Sequence, residues 1–412
     1  MAKSTPTEPE QRHSWSFAPR FKRNGFGWRS DLPIQRIKEA LTEIKQVGKK
    51  DPVLAAEGAL LLLGKLSPAL MNVDSSSGAL GSWVNRAIET LVPVIATAPV
   101  TLAVRKKWMQ KVWKALDEDE MPYLELLGDF WGELCAAPEL AAQWANELLP
   151  TLQTVWSTTA PGHGYFKGTS ACLSAMLAAG RYDELLALIA TEPRPWWHTR
   201  RWGVKALLAQ GKRAEALRYA QEKAGLNDPT WQIAEVCEAI LLDSGLADEA
   251  YRRFAIVANQ STTRLATFRA ICKRYPHKAA EDVLRDLVDS TPGSEGKWFA
   301  AAKDAGLYLV AIDLIQRSPA DPRTLTRAAK DFRLRESDFA TGCALAALHW
   351  IAQGHGYEVT AWEVQEAFDA LIAVTRASGG DVQQAKTRVQ SLITGSPAQK
   401  FMQAALKNSL AN

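Results

Sequence analysis

The residues best suited to chemistry form three basic–aromatic clusters and a short series of carboxylates. Arg105-Lys106-Lys107-Trp108 continues into Lys111-Val112-Trp113-Lys114. Arg194-Pro195-Trp196-Trp197-His198-Thr199-Arg200-Arg201-Trp202, then Lys205, is denser still. The third cluster is an N-terminal arm in which Arg12, Arg20, Lys22, Arg23 and Arg29 alternate with Trp15, Phe17, Phe21, Phe26 and Trp28. No acid lies between Gln11 and Ser30. Arginine and lysine neutralise phosphates and indole faces stack on bases, so these clusters point to nucleic acid. The competing reading makes the tryptophans core and the cations a solvated rim lying over them.

The carboxylates Glu125, Asp129 and Glu133 recur at i, i+4 and i+8, which places them on one face of a helix expected from Pro122 to Cys135. Gly128 and Gly132 lie on a neighbouring stripe and leave room for a second backbone or a ligand. A carboxylate beside aromatics in a basic groove is what base excision needs, to stabilise a cationic sugar or orient a water. In that reading Trp131 and the Trp196/Trp197 pair stack on an extruded base, while Arg200 or Lys167 holds the flanking phosphate. The plainer reading is a solvated helix face. Asp74, in Asp74-Ser75-Ser76-Ser77-Gly78, is a rival carboxylate, or else the N-cap of the next helix.

Lys167 sits in Gly162-His163-Gly164-Tyr165-Phe166-Lys167-Gly168-Thr169-Ser170. Glycines, a lysine and hydroxyls at a helix start suit a phosphate, or else form a flexible loop with a hydroxyl cap. The order is Lys-Gly and no strand precedes it, so this is no Walker motif. Gly354-His355-Gly356-Tyr357 repeats the first four residues, but neither histidine has a second ligand nearby. No metal or cofactor is expected. No serine–histidine–aspartate order, HExxH, GxGxxG or kinase set occurs, which excludes the standard hydrolases, NTPases and dehydrogenases.

Elements must position these groups, and composition bounds which elements they are. The chain has 412 residues, 47% hydrophobic and 23% charged, with 15 tryptophans and a net charge of +4. The pI is near 8.7 and the mean hydropathy is −0.17. Uninterrupted apolar runs are short, so no membrane span is expected. No apolar stretch follows the first residues, so no secretory signal is expected. The five cysteines are odd in number and never form CxxC, which fits a reducing cytoplasm and no cysteine zinc site.

From Pro33 onward the pattern is helix after helix. Ile34, Ile37 and Leu41 form one stripe, and Asp51-Pro52 reads as an N-cap followed by proline at the first helical position. Further helices are predicted near 101–116, 345–351, 362–374 and 382–393, and no strand alternation is convincing. The middle of the chain repeats. Ala178-Ala179-Gly180-Arg181-Tyr182-Asp183-Glu184, Ala209-Gln210-Gly211-Lys212-Arg213-Ala214-Glu215, Asp243-Ser244-Gly245-Leu246-Ala247-Asp248-Glu249 and Asp304-Ala305-Gly306-Leu307-Tyr308 align on their glycines. With a turn near Tyr275 the steps are 31, 34, 30 and 31 residues. Each unit is a helical hairpin that cannot bury its apolar face alone, so the units stack.

Over about 165–335 this repeat resembles the tetratricopeptide-type α-solenoid, without that family's full consensus. Val73-Asp74-Ser75-Ser76-Ser77-Gly78, Glu295-Gly296-Lys297-Trp298-Phe299 and Ser318-Pro319-Ala320-Asp321-Pro322 resemble a group of functionally uncharacterised bacterial helical proteins, and that resemblance attaches no activity. The expectation is an all-α chain: an arm at 1–30, a helical domain at 31–160, an α-solenoid of stacked hairpins at 161–335 and a helical cap at 336–412. The expected function is DNA binding through Arg20, Arg23, Arg29, Arg105, Lys107, Lys167, Arg194, Trp196, Trp197, Arg200, Arg201 and Lys205. Glu125, Asp129, Glu133 or Asp74 would serve a DNA glycosylase, an analogy with helical-repeat glycosylases that rests on fold alone. The alternative is a non-catalytic scaffold for a protein or peptide.

Overall fold

The computed structural model describes residues 13–157, 165–192, 196–222 and 228–411. Among them there are 21 α-helices and no strand, as the periodicity predicts. The chain divides into two compact units, Met1–Pro229 and Thr230–Asn412. Unit 1 holds α1 (Asp31–Gly48), α2 (Pro52–Leu70), α3 (Ala79–Ala96), α4 (Leu102–Asp117), α5 (Trp131–Cys135), α6 (Pro138–Trp156), α7 (Thr169–Ala178), α8 (Tyr182–Ala190), α9 (Trp197–Ala209) and α10 (Arg213–Gln221). Unit 2 holds α11 (Thr230–Asp243), α12 (Ala247–Ala258), α13 (Arg264–Arg274), α14 (Ala280–Asp289), α15 (Phe299–Asp304), α16 (Tyr308–Arg317), α17 (Pro322–Phe332), α18 (Ser337–Ala352), α19 (Ala361–Ala377), α20 (Val382–Ile393) and α21 (Gln399–Ala411). Short 3₁₀ turns at Glu125–Phe130 and Glu295–Trp298 lead into α5 and α15.

The repeat is written in one local device. Gly180, Gly211, Gly245 and Gly306 have φ of +73°, +76°, +74° and +73°. In each case the next residue's N–H reaches back to the carbonyl five positions before it: Arg181 to Met176, Lys212 to Leu207, Leu246 to Leu241 and Leu307 to Ala302, at 2.9–3.0 Å. This is the Schellman closure, whose left-handed residue glycine adopts without strain. The return helix starts two residues after the glycine each time. Gly354 (φ +84°) repeats the closure, with His355 N–H on Trp350 O at 2.8 Å, and so explains the glycine of the second Gly-His-Gly-Tyr. The turn at Tyr275 has no glycine. There the buried tyrosine hydroxyl donates to Glu238 Oε1 at 2.6 Å and ties α13 to α11.

The arm docks on its own unit. Trp15, Phe17, Phe21 and Phe26 are buried and run ring to ring at 5.4, 6.3 and 5.4 Å. Ser16 N–H and Phe17 N–H donate to the Glu43 carboxylate at 2.8 and 3.2 Å. A Cβ on Gly58 would stand 2.3 Å from the Trp15 indole, so α2 takes glycine there. Asp51 caps α2 by accepting from Leu54 N–H at 2.9 Å. Among the described residues α2 is the one helix long and apolar enough to cross a bilayer. Ala55, Ala59, Leu62, Leu63, Leu66 and Leu70 bury it against α1, α3 and α4, the setting of a core helix.

Candidate functional site

The expected carboxylate face does not form. The chain from Glu125 to Phe130 is a 3₁₀ turn, and the α-helix begins only at Trp131. At three residues per turn, positions i and i+4 diverge by roughly 120°, so Glu125 and Asp129 point apart. Glu125 accepts a hydrogen bond from the exposed Tyr165 hydroxyl. Asp129 pairs with Arg201 at 2.6 Å, and Glu133 is exposed. Gly128 and Gly132 serve a second backbone: a Cβ on either would meet Ser170 or Ala178 and Ser174 of α7 at 2.6–2.9 Å. Trp131 is fully buried, edge-on to Trp113 and Trp144 at 5.8 and 5.1 Å, so its faces are covered by the fold. Asp74 is not the N-cap of α3, a place taken by Gly78. It accepts from Ser76 N–H at 2.9 Å, which holds its carboxyl below the usual range.

Three expected DNA-binding cations turn inward and satisfy carbonyls at helix C-termini. Arg105 donates to Ile95, Ala96 and Ala98 carbonyls at the end of α3, the last two at 3.1 and 2.8 Å. Lys167 donates to Asp117 O and Asp119 O at 2.8 and 2.5 Å at the end of α4. Arg200 donates to Ala220 O at 2.9 Å in the last turn of α10. A helix C-terminus carries unpaired carbonyls and partial negative charge, which buried cations match. Arg200 also meets Asp228 at 2.8 Å, and the same carboxylate accepts from Trp197 N–H at 3.0 Å, opening α9. Trp197 is buried with it. Neighbours on a helix are about 100° apart, so Arg200 lies inside while Arg201 lies at the surface.

The three arm arginines expected to bind DNA are outside but paired: Arg20 with Glu39 at 2.6 Å, Arg23 with Glu120 at 3.7 Å and Arg29 with Asp31 at 3.8 Å. Arg194 lies outside the described residues, as do Gly162, His163 and Gly164. What remains at the surface is Trp196, 52% exposed, with Lys205 and the lysines of α4. Lys107, Lys111 and Lys114 stand at i, i+4 and i+7 on one exposed face, with Lys106 beside them. Of these four, Lys114 alone has an ion pair among the described residues, with Glu118 at 3.7 Å.

Two carboxylates that the sequence does not single out lie beneath this surface. Asp119 is buried, accepting from Ser67 Oγ and from Leu124 N–H at 2.7 Å, and burial pushes its carboxyl up. Burial, then the Asp119 charge, pushes Glu125 up as well. Asp119 belongs to the run Asp117-Glu118-Asp119-Glu120, which reads as a plain acidic loop; nothing in its spacing marks the one residue that turns in. Glu192 is the second. Its Oε1 accepts from Thr199 Oγ at 3.3 Å, its Oε2 is buried without a hydrogen-bond partner among the described residues, and burial pushes the carboxyl up to about 7.

A carboxyl raised in the folded state holds its proton while the unfolded chain loses it, so stability falls as pH rises from about 4.5 to about 7. Glu192→Gln removes that fall. The variant is expected to match the parent near pH 4 and exceed it at pH 8 by about 2 kcal/mol after solvent screening. Urea unfolding at the two pH values checks this, and parallel pH profiles would refute it.

No protein-family model matches the chain, and no curated protein matches it.

Proposed function

We propose that the protein is a helical DNA-binding protein whose contact surface in unit 1 is the lysine face of α4. The observation that carries this is the row Lys107, Lys111 and Lys114, exposed on one face, with Lys106 adjacent. Side chains that cap helices or sit in tight pairs are committed to the fold, whereas this row has charge to spare for phosphates. Each phosphate contact releases counterions, so affinity falls steeply with salt. Replacing Lys107 and Lys111 together with glutamine is expected to weaken binding to any DNA sequence and to lower the slope of log affinity against log salt by about 2. Fluorescence anisotropy across a salt series reads this. A slope near zero, or one unchanged in the variant, would remove the proposal.

The finer reading is cleavage of an N-glycosidic bond, and Glu125 supports it better than Asp129. Burial favours the protonated form of Glu125, the form that donates a proton to a departing base, and the Tyr165 ring beside it is 70% exposed. Asp129 is already engaged by Arg201. With DNAs bearing modified bases, followed by alkali, Glu125→Gln is expected to abolish strand breaks while Asp129→Asn keeps part of the activity. Absence of breaks on every substrate ends the excision reading and leaves DNA binding standing. Five free cysteines support a reducing, cytoplasmic setting.

A second reading, a scaffold for a protein or peptide, is favoured by unit 2. Leu309 and Leu334 are 89% and 79% exposed there, and Trp362 is 67% exposed. Salt-independent binding of a protein partner, with no DNA affinity, would decide for it.

A further inference from the structure

We infer that the α4 lysine face belongs to a single-strand binding site, in which unpaired bases lie in the cleft between α2, α4 and the arm and the phosphates lie on its lysines. The inference rests on the DNA-binding reading and names the substrate class. The cleft holds about 1050 Å³, and Lys111 of the α4 row is part of its wall. Lys65 of α2 lines it as well, and among the described residues neither lysine is held in an ion pair. Its floor is largely apolar, formed by Leu54, Leu60 and Leu61, the last 36% exposed. At the rim the exposed His13 ring stands edge-on to Trp15, with centroids 4.5 Å apart, where a base can stack.

Gly64 lies in the same floor and points to an occupant. Gly58 and Gly64 both interrupt α2, at a cost to helix stability. The Trp15 ring explains Gly58, whereas a Cβ on Gly64 would meet nothing within 4 Å. No packing requires that second glycine, and its bare backbone leaves the floor open to a flat ligand. Two acids also line the cleft. Asp51 is committed to the N-cap of α2, and Glu57 is exposed, about two turns along the helix from Lys65. A carboxylate repels phosphate but accepts from the amino group of cytosine, adenine or guanine, so phosphates lie toward the lysines and base edges toward Glu57. A duplex can lay its phosphates on the α4 row, but its bases stay stacked inside and cannot reach the floor. A single strand can turn its bases in, and stacking then adds to the charge attraction.

The test is fluorescence anisotropy with one mixed-sequence oligonucleotide, used as a single strand and annealed to its complement. The single strand is expected to bind roughly tenfold tighter than the duplex. Gly64→Leu fills the floor without a clash at Cβ and with a better helix former. It is expected to weaken single-strand binding about tenfold and duplex binding by less than about twofold. Lys65→Gln is expected to lower the single-strand slope of log affinity against log salt by about 0.7, and it carries the test if Gly64→Leu fails to fold. Three results overturn the inference and leave the DNA-binding reading standing: equal or tighter binding of the duplex, single-strand binding that a folded Gly64→Leu leaves untouched, or a salt slope that Lys65→Gln does not change. Binding of neither form refutes both.

Discussion

Replacing Arg200 with alanine is expected to destabilise unit 1 by about 3–5 kcal/mol, the usual consequence of removing one partner from a buried ion pair. Arg200 and Asp228 are 4% and 8% exposed at the side chain and 2.8 Å apart. Removing the guanidinium strands the Asp228 carboxylate, which also opens α9 through Trp197 N–H, and releases the Ala220 carbonyl at the end of α10. The end of α10 therefore loses its donor while the carboxylate that opens α9 loses its counter-charge. Arg201→Ala, one residue on, is expected to cost about 1 kcal/mol, because its pair with Asp129 is partly solvated. Urea unfolding of both variants measures the contrast. Equal midpoints would mean that Arg200 is not the internal brace described above. A loss of DNA affinity in Arg200→Ala would accordingly report unfolding, not a lost phosphate contact.

The second large effect is expected at Gly296. A Cβ there would stand 2.3 Å from the Ser318 carbonyl oxygen and 2.7 Å from that of Pro319. Both obstacles are backbone and cannot rotate away. The glycine N–H also donates to Ser318 Oγ at 2.8 Å, so the two segments are locked together. Gly296→Ala is expected to lose about 3 kcal/mol, at the upper end of overpacking costs. Gly245→Ala is the control. Its φ is +74° but nothing lies within 4 Å of the added Cβ, so the left-handed backbone alone costs about 1–2 kcal/mol. Thermal unfolding should rank the parent first, Gly245→Ala next and Gly296→Ala last. Gly296→Ala unfolding with or above Gly245→Ala would contradict the packing argument. This contact also gives Glu295-Gly296-Lys297-Trp298-Phe299 and Ser318-Pro319-Ala320-Asp321-Pro322 a physical meaning: they are two sides of one close approach, with Asp321 capping α17 through Thr324 N–H at 2.9 Å.

What was legible in the sequence was whatever depends on neighbours along the chain. The hairpin turns follow from glycine's freedom at positive φ after an apolar helix, and four of the five expected turns carry that glycine. The start of α2 follows from Asp51-Pro52, since an N-cap needs only its own next residues. The all-α class follows from periodicity.

The site was much less legible, because a side chain's direction depends on what packs against its helix. α9 is buried on several sides, so its sequence has no single inner stripe from which to sort Arg200 from Arg201 or Trp197 from Trp196. Arg105, Lys167 and Arg200 look like surface cations until the C-terminus of another helix is brought to them from 7 to 50 residues away. The i, i+4, i+8 carboxylates assumed an α-helical pitch, which the 3₁₀ turn at Glu125–Phe130 replaces. Local sequence therefore determined where the helices begin and end. Tertiary packing decided which charges are spent on helix ends and which, like Lys107 and Lys111, stay exposed, because an unpaired buried carbonyl or carboxylate recruits whatever cation the fold brings near it.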